Sequence, residues 1–453
     1  MTPTANGASP LRLLHTSDWH LGKTAVGRHR RDRDFDAVLA EIIAIAHDAQ
    51  PDLIVHSGDL FDGVRPTVPD MVRGMRALQG LAKVAPVAVL AGNHDSPMLL
   101  QLFNLVANGL DTDTTAAATH RITFVDEAGP AGRGHILDYP ARGGTERIRL
   151  AALPFVHANR VIAHASTAAV TTGHYAAHLR KIQADLGQSL RHGYRHDADV
   201  LIFTAHLYLD GALLASTERP SETNDSYAVD ALTMPPVAYA ALGHIHRPQQ
   251  VTRAGFAARY AGSPLQLDFG EAGEDKSVVV VDASPSGTAR VEVVPLRAGR
   301  RLVELDGTLD QIVQQAAVVG DAIVKVIVDI PVPDPRLAET VAAALPDVTI
   351  AAVEPRCAGT AITILSRDNA VREERDLPDL FRDYLEAVGT RNAVADHVLF
   401  TFAAILADAH AGNSVLPEEK LLGDVLRHPA SDPAQSGEPP HEPRTAVAAK
   451  EHP

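Results

Sequence analysis

Five short stretches of this sequence carry side chains that can grip divalent cations. SDWHLG brings Asp18 and His20, SGDLFD brings Asp59, and AGNHD brings Asn93, His94 and Asp95. AHL brings His206, and GHIH brings His244 and His246. With one cysteine in the chain, Cys357, neither a thiolate zinc cluster nor an intrachain disulfide framework is available. Carboxylate, carboxamide and imidazole donors favour hard or borderline ions such as Mn²⁺, Fe²⁺ or Zn²⁺. Two such cations about 3.5–4 Å apart can activate a water and stabilise the attacking and leaving oxygens of a phosphodiester. One carboxylate should bridge them, and Asp59 suits that role. Gly58, Gly92 and Gly243 each stand just before a donor segment, where the backbone must turn sharply or pass close by.

Each donor stretch directly follows a short apolar run: Leu11 to His15, Asp52 to His56, Pro86 to Leu90, Val200 to Thr204, and Tyr239 to Leu242. Continuous apolar runs of this length suit strands buried on both faces. Between them, Phe35 to His47 places Val38, Leu39, Ile42 and Ile43 on one helical face. Strands alternating with helices predict an α/β domain, in which ligand groups gather at the carboxyl ends of strands. Taken singly, a histidine after a strand, a capped GNHD turn or an alternating His pair has an ordinary structural explanation. Five such segments, each behind an apolar strand, do not share one.

The first domain is expected to span 1–284, closing where SPSG makes a turn after SVVVVD. A smaller unit over 291–367 follows, with strand patterns at Ala322 to Ile330 and Val348 to Val353 around a helix at Arg336 to Leu345. A helix pair is expected over 371–410. Its first stripe comprises Leu380, Phe381, Tyr384, Leu385 and Val388, between Pro378 and Gly389. Residues 428–453 are rich in Pro, Ser and charge, and predict a disordered tail.

Lys and Arg number 41 against 56 Asp and Glu, a formal net charge of −15. That balance excludes a chain that coats nucleic acid through bulk charge. A local patch is available in Lys23, Arg28, His29, Arg30, Arg31 and Arg33, with Arg65 and Arg247 as additions. These can contact DNA phosphates, or form a solvated loop ahead of the first helix. The opening MTPTANGASP has neither cationic start nor apolar core, and no run approaches the roughly 20 apolar residues of a bilayer span. The expectation is a soluble, cytoplasmic protein without membrane partners.

The motifs D-x-H, GD, GNHD, a lone His and GHxH resemble the five motifs of the calcineurin-like metallophosphoesterases. The longer strings TSDWHLGKT, SGDLFDGVRP, AGNHDSP, ALGHIHRPQ and YAGSPLQLDFGE resemble the SbcD-type nuclease branch of that superfamily. The resemblance implies a sandwich of two mixed sheets flanked by helices, with a smaller α+β capping domain and C-terminal helices. It implies one metal, most simply Mn²⁺, held by Asp18, His20, Asp59 and His246, and a second held by Asp59, Asn93, His206 and His244. His94 would face the phosphate. Asp95 would either orient His94 or simply cap the turn. Some relatives carry His where Asp62 stands, which leaves a DNA-contact role for Asp62 open.

The resemblance further implies a DNA nuclease, exonucleolytic on duplex ends and endonucleolytic on single strands or hairpins. It would work in DNA repair and recombination with an SbcC-type ABC ATPase bearing a coiled coil. GxxxxGK[ST] is absent from this chain, so ATP hydrolysis would fall to that partner. Leu380, Phe381, Tyr384 and Leu385 would dock on the partner's coiled coil, unless the two late helices pack on each other. A homodimer within a heterotetramer would form through apolar faces at Thr67 to Leu81 and Pro97 to Val106. The competing readings are a small-molecule or cyclic-nucleotide phosphodiesterase of the same superfamily, and a non-catalytic tether of DNA ends.

Overall fold

A computed structural model describes residues 10–26, 29–108, 121–126, 135–142, 144–157, 172–214, 228–285 and 287–357, with 381, 382, 385 and 399. The chain divides into two compact units, residues 1–166 with 170–365, and residues 167–169 with 366–453.

In the first unit the order begins β1 (Leu11–Thr16), β2 (Thr24–Ala25), β3 (His29–Arg30), α1 (Asp32–Ala49), β4 (Leu53–His56), α2 (Val68–Ala82), β5 (Val87–Leu90), α3 (Pro97–Asn108) and β6 (Ile122–Val125). It continues with β7 (His135–Pro140), β8 (Arg147–Leu153), α4 (Thr172–Arg191), β9 (Asp199–His206), β10 (Tyr239–Gly243), β11 (Gln249–Gln250), β12 (Ala257–Tyr260), β13 (Ser277–Ala283) and β14 (Ala289–Pro295). A smaller α/β unit completes it: β15 (Leu302–Gly307), α5 (Leu309–Ala316), β16 (Ile323–Ile330), α6 (Leu337–Ala344) and β17 (Thr349–Cys357).

Two mixed six-stranded sheets form, in the orders β14-β13-β1-β4-β5-β6 and β11-β12-β10-β9-β8-β7. In the first, β1, β4, β5 and β6 run parallel, while β13 pairs antiparallel with β1. In the second, β8, β9, β10 and β12 run parallel. Alternation along each strand explains the continuous apolar runs. In β4, Ile54 packs toward α1 and α2, while Leu53 and Val55 turn inward against Leu150 and Ile202 of the opposite sheet. The outer face of the second sheet is covered by Leu179, Ile182 and Leu186 of α4. The result is helix, sheet, sheet, helix, the flanked sandwich that the family resemblance implies.

Helix α1 begins with Asp32 and Asp34 in its first turn, where negative charge favours the helix dipole, and buries Phe35, Val38, Leu39 and Ile42. The SPSG turn forms, but as a hairpin. Strand β14 returns antiparallel onto β13 from Ala289↔Ala283 to Ser277↔Pro295, so residues 291–295 belong to the first sheet. The small unit therefore starts at β15, whose three parallel strands are ordered β15-β16-β17. Val324, Val326 and Val328 of β16 meet Ile312 of α5 and Leu337 and Val341 of α6 in its own core.

Among the late residues, Phe381, Arg382, Leu385 and Leu399 are described, all four helical, with Leu385 buried. Leu380, Tyr384 and residues 428–453 lie outside the described residues. No described helix is long and apolar enough to cross a membrane.

Candidate metal centre

The strands that run parallel end on the same edge of each sheet, and the donor residues sit on the loops just past those ends. Asp18 and His20 follow β1, Asp59 follows β4 and Asn93 follows β5. His206 closes β9, and His244 and His246 follow β10. All seven proposed ligands are buried, none more than 6% exposed.

Their donor atoms converge. Asp59 Oδ2 lies 3.3 Å from His20 Nε2 and 3.4 Å from His206 Nε2, one ring from each of the two predicted ligand sets. Asn93 Oδ1 lies 2.9 Å from His206 Nε2 and 3.0 Å from His244 Nδ1. Ligand atoms of Asp18, His20 and His246 lie within 4.8 Å of one another, as do those of Asp18, Asp59 and His206. Both ring nitrogens of His20 are buried and close enough to Asp59 and Asp62 for ion pairing, yet neither is aligned for a hydrogen bond. A buried polar atom left in that state costs about 1–3 kcal/mol. A cation among these donors would satisfy it, so the residues present fit a pair of divalent ions.

Backbone conformation shows what the loops give up to aim these groups. Asp18, His20, Asp59 and His244 all adopt left-handed φ values, of 51°, 46°, 56° and 99°. Side chains rarely tolerate that region, at a cost of order 1–3 kcal/mol each, and such outliers cluster at functional sites. At Gly58 (φ 108°) a Cβ would fall 2.2 Å from His206 Nδ1, so only glycine lets the GD turn pass beneath that imidazole.

The electrostatics are those of a cage built for positive charge. Burial pushes the Asp18 carboxyl up to about 7, with the Asp59 charge adding to it against the pull of His206 and His20. Burial acts the same way on Asp59, but His206, His20 and His94 outweigh it and hold that carboxyl well below the usual range. For His20 burial opposes the charged ring, yet Asp59 and Asp62 raise it to about 10. His206 likewise rises to about 9 beside Asp59 and Asp18. Protons on these two rings occupy the place of metal charge. Loading Mn²⁺ at pH 8 should therefore release about two protons, and affinity should climb as pH rises toward 9. Calorimetry in two buffers of different ionisation enthalpy reads this directly, and no net proton release would contradict it.

His94 is half-buried, 4.7 Å from His20 between ring centroids. Its Nδ1 lies 2.8 Å from the Asp62 carbonyl, an atom that only accepts, so Nδ1 carries a proton and Nε2 is the ring atom left for proton transfer. Its backbone N–H donates to Asp59 Oδ1 at 2.9 Å. Asp95 turns its carboxylate to backbone amides. Its carboxylate accepts from the N–H groups of Leu60, Phe61 and Gly92 at 3.1, 3.1 and 2.9 Å, lacing the GNHD loop to the GD loop.

Of the basic patch, Arg31 is 2% exposed, with Nε donating to Asp34 at 3.1 Å and the rest of the guanidinium to the carbonyls of Gln266 and Arg300. Burial and three internal acceptors remove it from any DNA surface. Arg30 pairs with Asp32 at 2.7 Å, and Lys23 with Asp62 at 3.1 Å. Arg33, Arg65 and Arg247 are exposed. Arg28 lies outside the described residues.

Two carboxylates stand behind the imidazoles: Asp62, which the sequence singles out without this role, and Glu271, which sequence reasoning missed. Asp62 Oδ1 lies 3.4 Å from His20 Nδ1, and Glu271 Oε1 lies 3.2 Å from His246 Nδ1. An acidic residue inside the apolar GSPLQLDFGE stretch was the only available sign of Glu271.

A sequence profile of the calcineurin-like phosphoesterases matches residues 11–248, more than half of the chain. The chain belongs to that family. Within the calcineurin-like phosphoesterases it is of the SbcD type. The SbcD component of the SbcCD nuclease of Bacillus subtilis (strain 168) is 36% identical over 300 residues, 65% of this chain and 72% of the relative. Its counterpart in Escherichia coli (strain K12) is 30% identical over 318 residues, 67% and 73% of the two chains. A third, from Rhodobacter capsulatus, is 31% identical over 295 residues, covering 63% and 69%. As a calcineurin-like phosphoesterase, the chain carries candidate ligands for divalent metals where both sheets end.

Proposed function

We propose that this chain is a two-metal DNA nuclease that acts with an SbcC-type ATPase. The observation that carries the reading is the position of Asp59, with one carboxylate oxygen within 3.4 Å of both His20 and His206. Asp18, His20, Asp59 and His246 would hold one cation, and Asp59, Asn93, His206 and His244 the other. When bound, such a pair supplies charge that activates a water and stabilises both oxygens of the displaced phosphodiester. The chain's own residues do the rest. The Asp62 carbonyl fixes the His94 ring so that Nε2 can stabilise the phosphate or protonate the leaving oxygen. Asp95 holds the loop that carries His94 and Asn93 against Asp59.

Of the predicted patch, the described residues Arg33, Arg65 and Arg247 are exposed and can contact phosphates, Arg247 lying 3.8 Å from Glu274, which predicts backbone rather than base recognition. The small unit over residues 302–357 would be the capping domain. The late helices would dock on the ATPase's coiled coil, with the half-buried Phe381 among their contacts, whereas Leu385 is buried within this chain. Val68 and Val72 of α2 and Met98, Leu102 and Val106 of α3 are exposed apolar side chains, which supports a homodimer through these helices. Duplex-end exonuclease and hairpin or single-strand endonuclease activity, with Mn²⁺ in a cytoplasmic setting, completes the reading.

Purified chain with Mn²⁺ should degrade linear duplex DNA, faster with the ATPase partner present. Hydrolysis of bis-p-nitrophenyl phosphate with no DNA cleavage under any condition would favour a small-molecule phosphodiesterase instead.

A further inference from the structure

The loop after β12 joins Glu271, already seen against His246, to a second buried charge, Lys276. Glu271 is fully buried and Lys276 is 5% exposed. Lys276 Nζ donates to Glu271 Oε2 at 2.7 Å and to the backbone carbonyl of His246 at 3.1 Å. The other carboxylate oxygen, Glu271 Oε1, lies 3.2 Å from His246 Nδ1. Glu271 Oε2 also accepts from the Leu267 N–H at 3.1 Å, which fixes the carboxylate within its own loop. His246 is thus held at two points, the ring by Glu271 and the main chain by Lys276.

Burying an ion pair among apolar neighbours brings little net stability, because the desolvation cost offsets most of the attraction. Such a pair is well suited to fixing orientation. A carboxylate accepting from Nδ1–H sets the tautomer of an imidazole, leaves Nε2 with its lone pair, and makes that nitrogen a better donor to a metal.

We infer that Glu271 is a positioning residue for the metal centre, which with Lys276 holds the His246 ring so that Nε2 faces a divalent cation. The inference deepens the two-metal reading and rests on it. His206 differs, since its Nδ1 meets only the neutral carbonyl of Ser57 at 2.8 Å. The position served by His246 should accordingly bind its ion more tightly than the one served by His206, and should be the one weakened when Glu271 is neutralised.

Two measurements test this. The first uses ¹⁵N-histidine-labelled, metal-free, unsubstituted chain, whose spectrum at neutral pH should show His246 protonated at Nδ1. Protonation at Nε2 alone overturns the proposal. The second is Mn²⁺ titration of E271Q/K276M, in which the two buried charges go together, while Glu274, which also meets Lys276 Nζ at 3.1 Å, keeps Arg247 at 3.8 Å. One of the two Mn²⁺ equivalents should weaken about 10- to 100-fold, while the other keeps its affinity. Unchanged affinity at both positions also overturns it. If the unsubstituted chain takes up no Mn²⁺ at all, the two-metal reading fails, and the tautomer alone then decides the role of Glu271.

Discussion

His94→Gln should cut DNA cleavage by about 10²- to 10⁴-fold, the range for loss of a positioned general acid or base, while both Mn²⁺ equivalents still bind with unchanged affinity. The separation follows from geometry. The hydrogen bond from residue 94 to the bridging Asp59 comes from its backbone N–H, which donates to Oδ1, and glutamine keeps that bond. The ring, set by the Asp62 carbonyl, offers a proton that a carboxamide cannot. Single-turnover cleavage alongside Mn²⁺ calorimetry tests the pair of outcomes. Cleavage within a few fold of the unsubstituted rate would remove His94 from the reaction, and lost metal would make it a ligand instead.

Gly92→Ala should do more damage than any exposed substitution, although it adds one methyl group. That methyl would lie 2.0 Å from Asp59 Oδ1 and 2.4 Å from the Asp59 backbone nitrogen. A side chain can rotate away from such a contact, but a backbone nitrogen cannot. The GD and GNHD loops must therefore part, and with them go the bridging carboxylate and the two amide bonds that Asp95 collects from Leu60 and Phe61. A displacement of about 1 Å in a catalytic group costs of order 10²-fold in rate, and here both metal positions share the displaced group. The expected result is a loss of at least that size in cleavage, with weakened uptake of both ions and a lowered melting temperature. Full Mn²⁺ stoichiometry at wild-type rate would show that the loops are not so closely locked.

The convergence of the seven candidate donors is legible because each lies within a few residues of the end of an apolar strand, and parallel strands carry their ends to a common edge. Local pattern is enough for them. It is not enough for Arg31, one of several cations beside Asp18 in sequence. Its burial comes from carbonyls at Gln266 and Arg300, more than two hundred residues away, and no spacing announces them. Glu271 is hidden for the same reason, standing 25 residues beyond its histidine. The VEVVP of β14 reads as part of the small unit because it alternates like any half-buried strand, and alternation does not say which sheet it joins.

Asp18, His20, Asp59 and Asn93 hang from one sheet, whereas His206, His244 and His246 hang from the other. Between the two layers the contact is otherwise dominated by interdigitated aliphatic side chains, which grip without direction. A pair of ions at the rim would rivet the layers at one end, tying the opening of the sandwich to the local supply of metal.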